Sequence, residues 1–201
     1  MKSKLYSMQW FNEPENWEII NPETLVIHVP PKTDFWRITH YGFIIDDAPF
    51  LYKTQGGEFE AKVKLKGDYK ASFDQMGLMI RINHKEWIKA GIEYTNGHQN
   101  ISCVVTHESS DWSVIELDTP PKYIWIEVIR RYNSLMVYFS FDDFTYKIVR
   151  TCYLEDHCPV QIGLMAACPD GDGFETKFES FTVTHLPDLE RLEWAKKNLE
   201  Q

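Results

Sequence analysis

Carboxylates are the first residues to weigh, because two of them flanking one bond can cleave a glycosidic linkage. That chemistry needs carboxyl groups about 5 Å apart for retention, or roughly 6.5–9.5 Å apart for inversion. A strand carrying Glu-x-Asp-x-Glu would aim such groups into one cleft. The nearest match is Glu116-Leu117-Asp118-Thr119-Pro120-Pro121, where a proline stands in the place of the second glutamate. Glu93 is the other candidate, with Lys89 and Arg81 expected near it. Those cations favour its ionised form, which suits an ion pair better than a general acid. Asp74 or Asp111 could bring a second carboxylate from a loop, so hydrolysis stays open as an alternative to binding.

Other chemistry has weaker support. Asp170-Gly171-Asp172-Gly173 opens like a calcium loop, but Phe174 follows where another oxygen ligand belongs, and Asp with Gly is what a plain turn uses. Cys152, His157 and Cys158 lack Cys-x-x-Cys spacing, so zinc is not expected. No glycine-rich phosphate loop and no nucleophile elbow is present, and no cofactor is expected.

Recognition fits the residue types better. Trp36, Trp87 and Trp112 offer flat apolar surfaces, while Asp74, Gln75, Arg81, Lys89, Glu93 and Asp111 supply polar groups, the mixture that lines a selective pocket for a small molecule or a sugar. The plainer alternative is structural. Trp87 covered by a loop and an Arg81–Glu93 cross-strand ion pair would account for the same residues.

A hairpin must position them. Asn96-Gly97 suits a two-residue type I′ loop, whose central residues both need positive φ. With that turn set, Thr95 pairs with His98, Glu93 with Asn100, Gly91 with Ser102, Lys89 with Val104 and Trp87 with Thr106. The pairs between them, Ile92 with Ile101, Ala90 with Cys103 and Ile88 with Val105, are uniformly apolar and form core. Side chains alternate along a strand, so Trp87, Lys89, Glu93, Asn100, Ser102 and Thr106 share the other face. If Leu78, Ile80 and Ile82 also face the core, Gly77, Met79 and Arg81 join that face, reached through a three-residue loop at His84-Lys85-Glu86. An even-length loop would instead bury Arg81, at several kcal/mol if unpaired. Ser110-Asp111-Trp112 and Asp74-Gln75 are placed at the rim.

Further strands are expected over 17–20, 24–29, 59–65, 76–82, 87–94, 101–106, 112–117, 123–131, 135–141, 146–150, 160–167 and 174–184, separated by turn residues. Many short alternating strands indicate an all-β, two-sheet antiparallel sandwich. The chain divides into a sandwich over residues 1–186 and a short C-terminal helix over 187–201. There Asp188 can cap, and Leu189, Leu192, Ala195 and Leu199 share one face, to pack on the sandwich or dock a partner.

The 201 residues carry 30 acidic against 21 basic groups, a formal charge of −9. Glu58 and Glu60 interrupt the approach to Lys62, Lys64 and Lys66, so neither nucleic acid nor an anionic membrane is an expected partner. No run reaches the ~20 apolar residues of a membrane helix, and Met1-Lys2-Ser3-Lys4-Leu5 leads into Gln9-Trp10 without the apolar stretch of a secretion signal. A cytoplasmic location follows as an expectation, with Cys103, Cys152, Cys158 and Cys168 as free thiols.

Five segments carry a family resemblance: Trp10-Phe11-Asn12-Glu13-Pro14, Thr33-Asp34-Phe35-Trp36-Arg37, Asp74 to Arg81, Trp87 to Glu93, and Ser110-Asp111-Trp112-Ser113. Together they resemble a domain family of unassigned function with a concanavalin-A-like lectin/glucanase sandwich, over about Trp10 to Thr184. The resemblance implies a jelly roll of two antiparallel sheets, one concave. It also implies a cytosolic role in regulating the glycolytic enzyme enolase, with enolase or its regulators as partners. It carries over no assigned active site, and a sugar ligand only by analogy of fold. With the carboxylate array missing, the leading expectation is a non-catalytic regulatory or binding protein.

Overall fold

The structure, a computed structural model, describes residues 4–155, 158–187 and 193. Of the expected C-terminal helix only Pro187 and Glu193 fall among them, so that expectation lies outside the described residues. After a single 3-10 turn at Lys4–Ser7 the described chain is built of strands. They are β1 (Gln9–Phe11), β2 (Trp17–Asn21), β3 (Thr24–Val29), β4 (Phe35–Arg37), β5 (Ile44–Asp46), β6 (Phe50–Gln55), β7 (Phe59–Gly67) and β8 (Gln75–Asn83). The second half contributes β9 (Glu86–Thr95), β10 (His98–His107), β11 (Ser109–Glu116), β12 (Ile124–Arg131), β13 (Ser134–Ser140), β14 (Lys147–Tyr153), β15 (Val160–Ala167) and β16 (Phe174–His185).

Two seven-stranded antiparallel sheets face each other as a sandwich. The first runs β1-β6-β15-β8-β9-β10-β11 and the second β14-β13-β12-β7-β16-β3-β2. Between them lies an apolar core drawn from alternate positions of both. Leu78, Ile80, Ile88, Ala90, Ile92, Ile101, Cys103 and Val105 come from the first sheet; Ala61, Val63, Leu65, Ile124, Ile126 and Val128 come from the second. This is the expected all-β sandwich.

The β9–β10 ladder has the register that Asn96-Gly97 dictates, from Thr95↔His98 through Glu93↔Asn100 and Lys89↔Val104 to Trp87↔Thr106. Asn96 and Gly97 both hold positive φ, 54° and 84°. The β8–β9 connection reaches the anticipated facing by a different route. Asn83 pairs with Glu86 across a two-residue turn, and a bulge between Arg81 and Asn83 adds the odd residue that brings Arg81 opposite Trp87. A bulge shifts the alternation by one position just as an odd loop would.

Two features escape the periodicity. β6 is an interior strand of the first sheet, between β1 and β15. Its Leu51 enters the sandwich core while Phe50 belongs to a separate apolar cluster on the opposite face, so the strand shows no apolar–polar alternation. The second feature is a two-stranded hairpin, β4–β5, that packs on the outer face of the first sheet. Phe35, Trp36 and Ala48 from this roof bury Phe50, Met79, Trp87, Val104, Met165 and Ala167 beneath it, a second apolar layer outside the sandwich.

Candidate functional site

Polar contacts pin the roof to the sheet. Lys89 Nζ donates to Asp34 Oδ1 at 3.2 Å and to the Phe35 carbonyl at 2.7 Å. Arg81 Nη2 donates to Asp46 Oδ2 at 2.6 Å, with its guanidinium 4.5 Å from the centre of the Phe11 ring. The Arg37 amide donates to Ser110 Oγ at 3.0 Å. Each pair places a cation or hydroxyl from the sheet under an oxygen or amide of the roof, so that buried charge is matched.

Beside this contact, the sheet and the roof enclose a pocket of about 330 Å³. Trp36, Tyr41 and Phe43 form the roof side, with Trp36 and Tyr41 edge to face at 5.9 Å and Tyr41 stacked on Phe43 at 5.3 Å. Phe73 and Trp112 form the facing wall, their rings 6.5 Å apart. Asp34, Gln75, Lys89 and Glu93 line it with polar groups, and Pro169 and Asp170 close one side. Gly91 sits between Lys89 and Glu93 on the same face, paired with Gly77. A Cβ on Gly91 would lie 2.0 Å from the Met76 carbonyl oxygen, and one on Gly77 equally close to that of Ala90. No side chain fits there, so the floor between the two charged residues stays open.

Glu93 is held from one side only. Ser102 Oγ donates to its Oε2 at 2.6 Å and the Trp112 indole N–H donates to the same oxygen at 2.8 Å. Asp34 is organised alike: the Phe35 amide (2.7 Å), the Gln75 amide group (3.4 Å) and Lys89 all reach Oδ1. Among the described residues, no protein group donates to Glu93 Oε1 or Asp34 Oδ2, although both residues are more than nine-tenths buried. Burial raises the Glu93 carboxyl above the usual glutamate range, and nearby Asp34 adds to this. The Lys89 charge and the bonds from Ser102 and Trp112 offset it only in part. The expectation that neighbouring cations would favour ionised Glu93 is therefore reversed by desolvation, and Arg81, the second cation invoked, is turned to Asp46 instead.

Of the nine anticipated residues, Trp36, Gln75, Lys89, Glu93 and Trp112 meet around this pocket. The other four do not. Trp87 is 1 % exposed and packs edge to face on Phe35 at 6.2 Å beneath the roof, so it is no open platform. Arg81 pairs with the roof rather than with Glu93. Asp74 is fully buried, where its carboxylate accepts the Lys70 and Ala71 amides at 2.8 and 2.9 Å and closes a turn. Asp111 follows the alternation of β11 to the face opposite Trp112, and is bound at 3.2 Å to Arg150 of the second sheet. Adjacent strand residues cannot share a face.

Sequence reasoning missed Asp34, Tyr41, Phe43 and Phe73 as site residues, placed Ser102 on the right face without a role, and took Asp170 for part of a turn. Of the four missed, Asp34 carried a signal: it lies two residues before Trp36 in a motif, and Lys89, if covered, needs an acid. The pair is 55 residues apart in the chain.

A family model described as a protein of unknown function, DUF1349, matches residues 10–186. The chain belongs to this family. It is 33 % identical over 175 residues to "Regulation of enolase protein 1" of Saccharomyces cerevisiae, spanning 87 % of this chain and 88 % of that one. The fold of a functionally unknown protein from Saccharomyces cerevisiae superposes with a TM-score of 0.87 at 32 % identity, covering 92 % of this chain and all of the other (100 %). A more distant likeness, TM-score 0.68 at 18 % identity, is to "Bacteroides ovatus Xyloglucan PUL GH43B". It covers 85 % of this chain but 34 % of that one, and shows the sandwich fold alone. Among the described residues no helix is long and apolar enough to cross a membrane.

Proposed function

We propose that this protein is a non-catalytic regulatory protein of the cytoplasm that binds a small ligand in the pocket between roof and sheet. The observation that carries this reading is the pair of buried carboxylates, Asp34 and Glu93, each fixed through one oxygen and each leaving the other to the pocket between aromatic walls. Pre-set polar groups in an apolar enclosure select a ligand without loop rearrangement. The yeast relative's name makes enolase the first enzyme to examine, with regulation depending on whether the pocket is filled. The test is enolase turnover measured with the wild-type protein and with Glu93→Gln. An effect that the variant lacks, while still folded, supports the reading; equal effects from both would detach enolase from the pocket, and no effect from either would remove enolase.

A second reading has its own observation. Two carboxylates share one pocket, and burial raises the Glu93 carboxyl above the usual glutamate range while Asp34 is paired with Lys89, the difference of environments that a general acid and its partner need. A glycoside-cleaving enzyme would then use Glu93 as the acid. Hydrolysis of aryl xylosides or arabinosides that disappears in Glu93→Gln would establish it and displace the non-catalytic reading.

A further inference from the structure

With Glu93 ionised, the charge inside the pocket is unbalanced. Its ionisable lining comprises Asp34, Glu93 and Asp170 against Lys89, with Tyr41 on the roof. Lys89 is already engaged, giving its protons to Asp34 Oδ1 and the Phe35 carbonyl. The oxygens left over, Asp34 Oδ2 and Glu93 Oε1, are acceptors when ionised, and no protein group among the described residues donates to either. A neutral hydroxyl ligand would supply hydrogen bonds but leave the negative charge uncompensated. A donor carrying positive charge answers both needs, since charge-assisted bonds are roughly twice as strong as neutral ones.

The walls suit the same ligand. Trp36, Tyr41 and Phe43 on one side and Phe73 and Trp112 on the other present rings around the acids. A cation within about 6 Å of a ring centroid is drawn to its negative face, more so when desolvated. The volume of about 330 Å³ lies at the small end of ligand sites, enough for a short aliphatic group. We infer that the pocket takes an alkylammonium group, its N–H donors on Asp34 Oδ2 and Glu93 Oε1 and its carbon stem between the aromatic walls. This rests on the proposed binding reading and names its ligand class. A free amine and the side chain of a lysine on another protein share that chemistry.

An NMR titration of the full chain tests it, reading the Trp112 indole N–H that reports on Glu93. The probes are n-butylammonium, 1-butanol and D-xylose, with Nα-acetyl-lysine amide as a fourth arm. The expected result is a saturable shift with n-butylammonium, and binding of 1-butanol and xylose about tenfold weaker or absent. Glu93→Gln should lose about tenfold in affinity for n-butylammonium, and Asp170→Asn, at the exposed rim, about two- to threefold, with the unfolding midpoints of both retained. Affinity should also fall as pH drops into the acid range, because a protonated Glu93 offers no charge. If Nα-acetyl-lysine amide binds as well as n-butylammonium, the source is a lysine side chain; if it binds much more weakly, the source is a free amine. Equal or tighter binding of 1-butanol or xylose would overturn the cation while leaving the pocket a ligand site. No response to n-butylammonium would overturn the inference outright, leaving the binding reading to the enolase measurement.

Discussion

On its inner face the first sheet meets the second through Leu78, Ile88, Ile92 and Cys103, all apolar. On its outer face the same strands carry Met79, Trp87, Lys89 and Glu93 toward the roof and the pocket beside it, apolar and charged side chains together. Both faces are buried, but by different means. The inner layer is closed by hydrophobic area alone. The outer layer is closed by aromatic packing plus two ion pairs, Lys89–Asp34 and Arg81–Asp46, and it leaves carboxylate oxygens unmatched at one end. A fold built only for stability has no need of that second arrangement, since matched hydrophobic residues would serve as well or better. The difference teaches where to look for function: in the layer that accepts the cost of buried charge.

The comparison breaks first at Trp87. If the outer layer is a true core, Trp87→Ala should destabilise the protein by about 3–5 kcal/mol, as truncating a buried aromatic does, seen as a lower urea midpoint with an unchanged slope. A loss below about 1 kcal/mol would show the roof to be loosely attached and the two layers to be unequal in kind.

Next comes Lys89. Lys89→Met leaves Asp34 buried without its cation and should cost about 2–4 kcal/mol. Adding Asp34→Leu should recover most of that loss, because the stranded charge is then gone. Failure of the double variant to recover would mean that the pair holds the roof through geometry rather than charge.

Arg81→Met probes the other pin. Asp46 is the more solvent-accessible partner, 26 % exposed at its side chain against 12 % for Asp34, so the expected cost is smaller, about 1–2 kcal/mol. A cost matching that of Lys89→Met would place both pins in equally dry surroundings.

The smallest effect is expected at Glu93, and its sign carries the information. The folded protein holds the Glu93 proton to higher pH than the unfolded chain does. Wild-type stability is therefore lost through this group as pH rises from the ordinary glutamate range through the raised folded value, and the loss is complete above it. Glutamine carries no such penalty, and its carbonyl oxygen can still accept from Ser102 and Trp112. Glu93→Gln should thus change stability by no more than about 1 kcal/mol, and gain relative to wild type as pH climbs across that window. Chemical denaturation at a series of pH values checks it. A variant that instead falls behind the wild type at neutral pH would make Glu93 a structural residue rather than one retained at a cost.

What the sequence by itself determined is the local part of this molecule. Asn96-Gly97 sets the β9–β10 register, because few residue pairs tolerate two positive φ values in succession. Alternation then assigns Ile88, Ala90 and Ile92 to the core and Lys89 and Glu93 to the opposite face, because a strand has a period of two. That is enough to read a sandwich and half of a site. Tertiary structure alone decided the remainder. Alternation says which residues leave the core but not what they meet, so nothing local foretold that Asp34 would reach Lys89, or that Trp87 would be sealed under Phe35. β6 lies between two apolar layers, so its pattern shows no preferred face. The raised Glu93 follows from the same cause: its neighbours in the chain are known, but the burial that raises it comes only with packing. Burial is a property of the packed whole, and at this site burial sets both the charge and the chemistry.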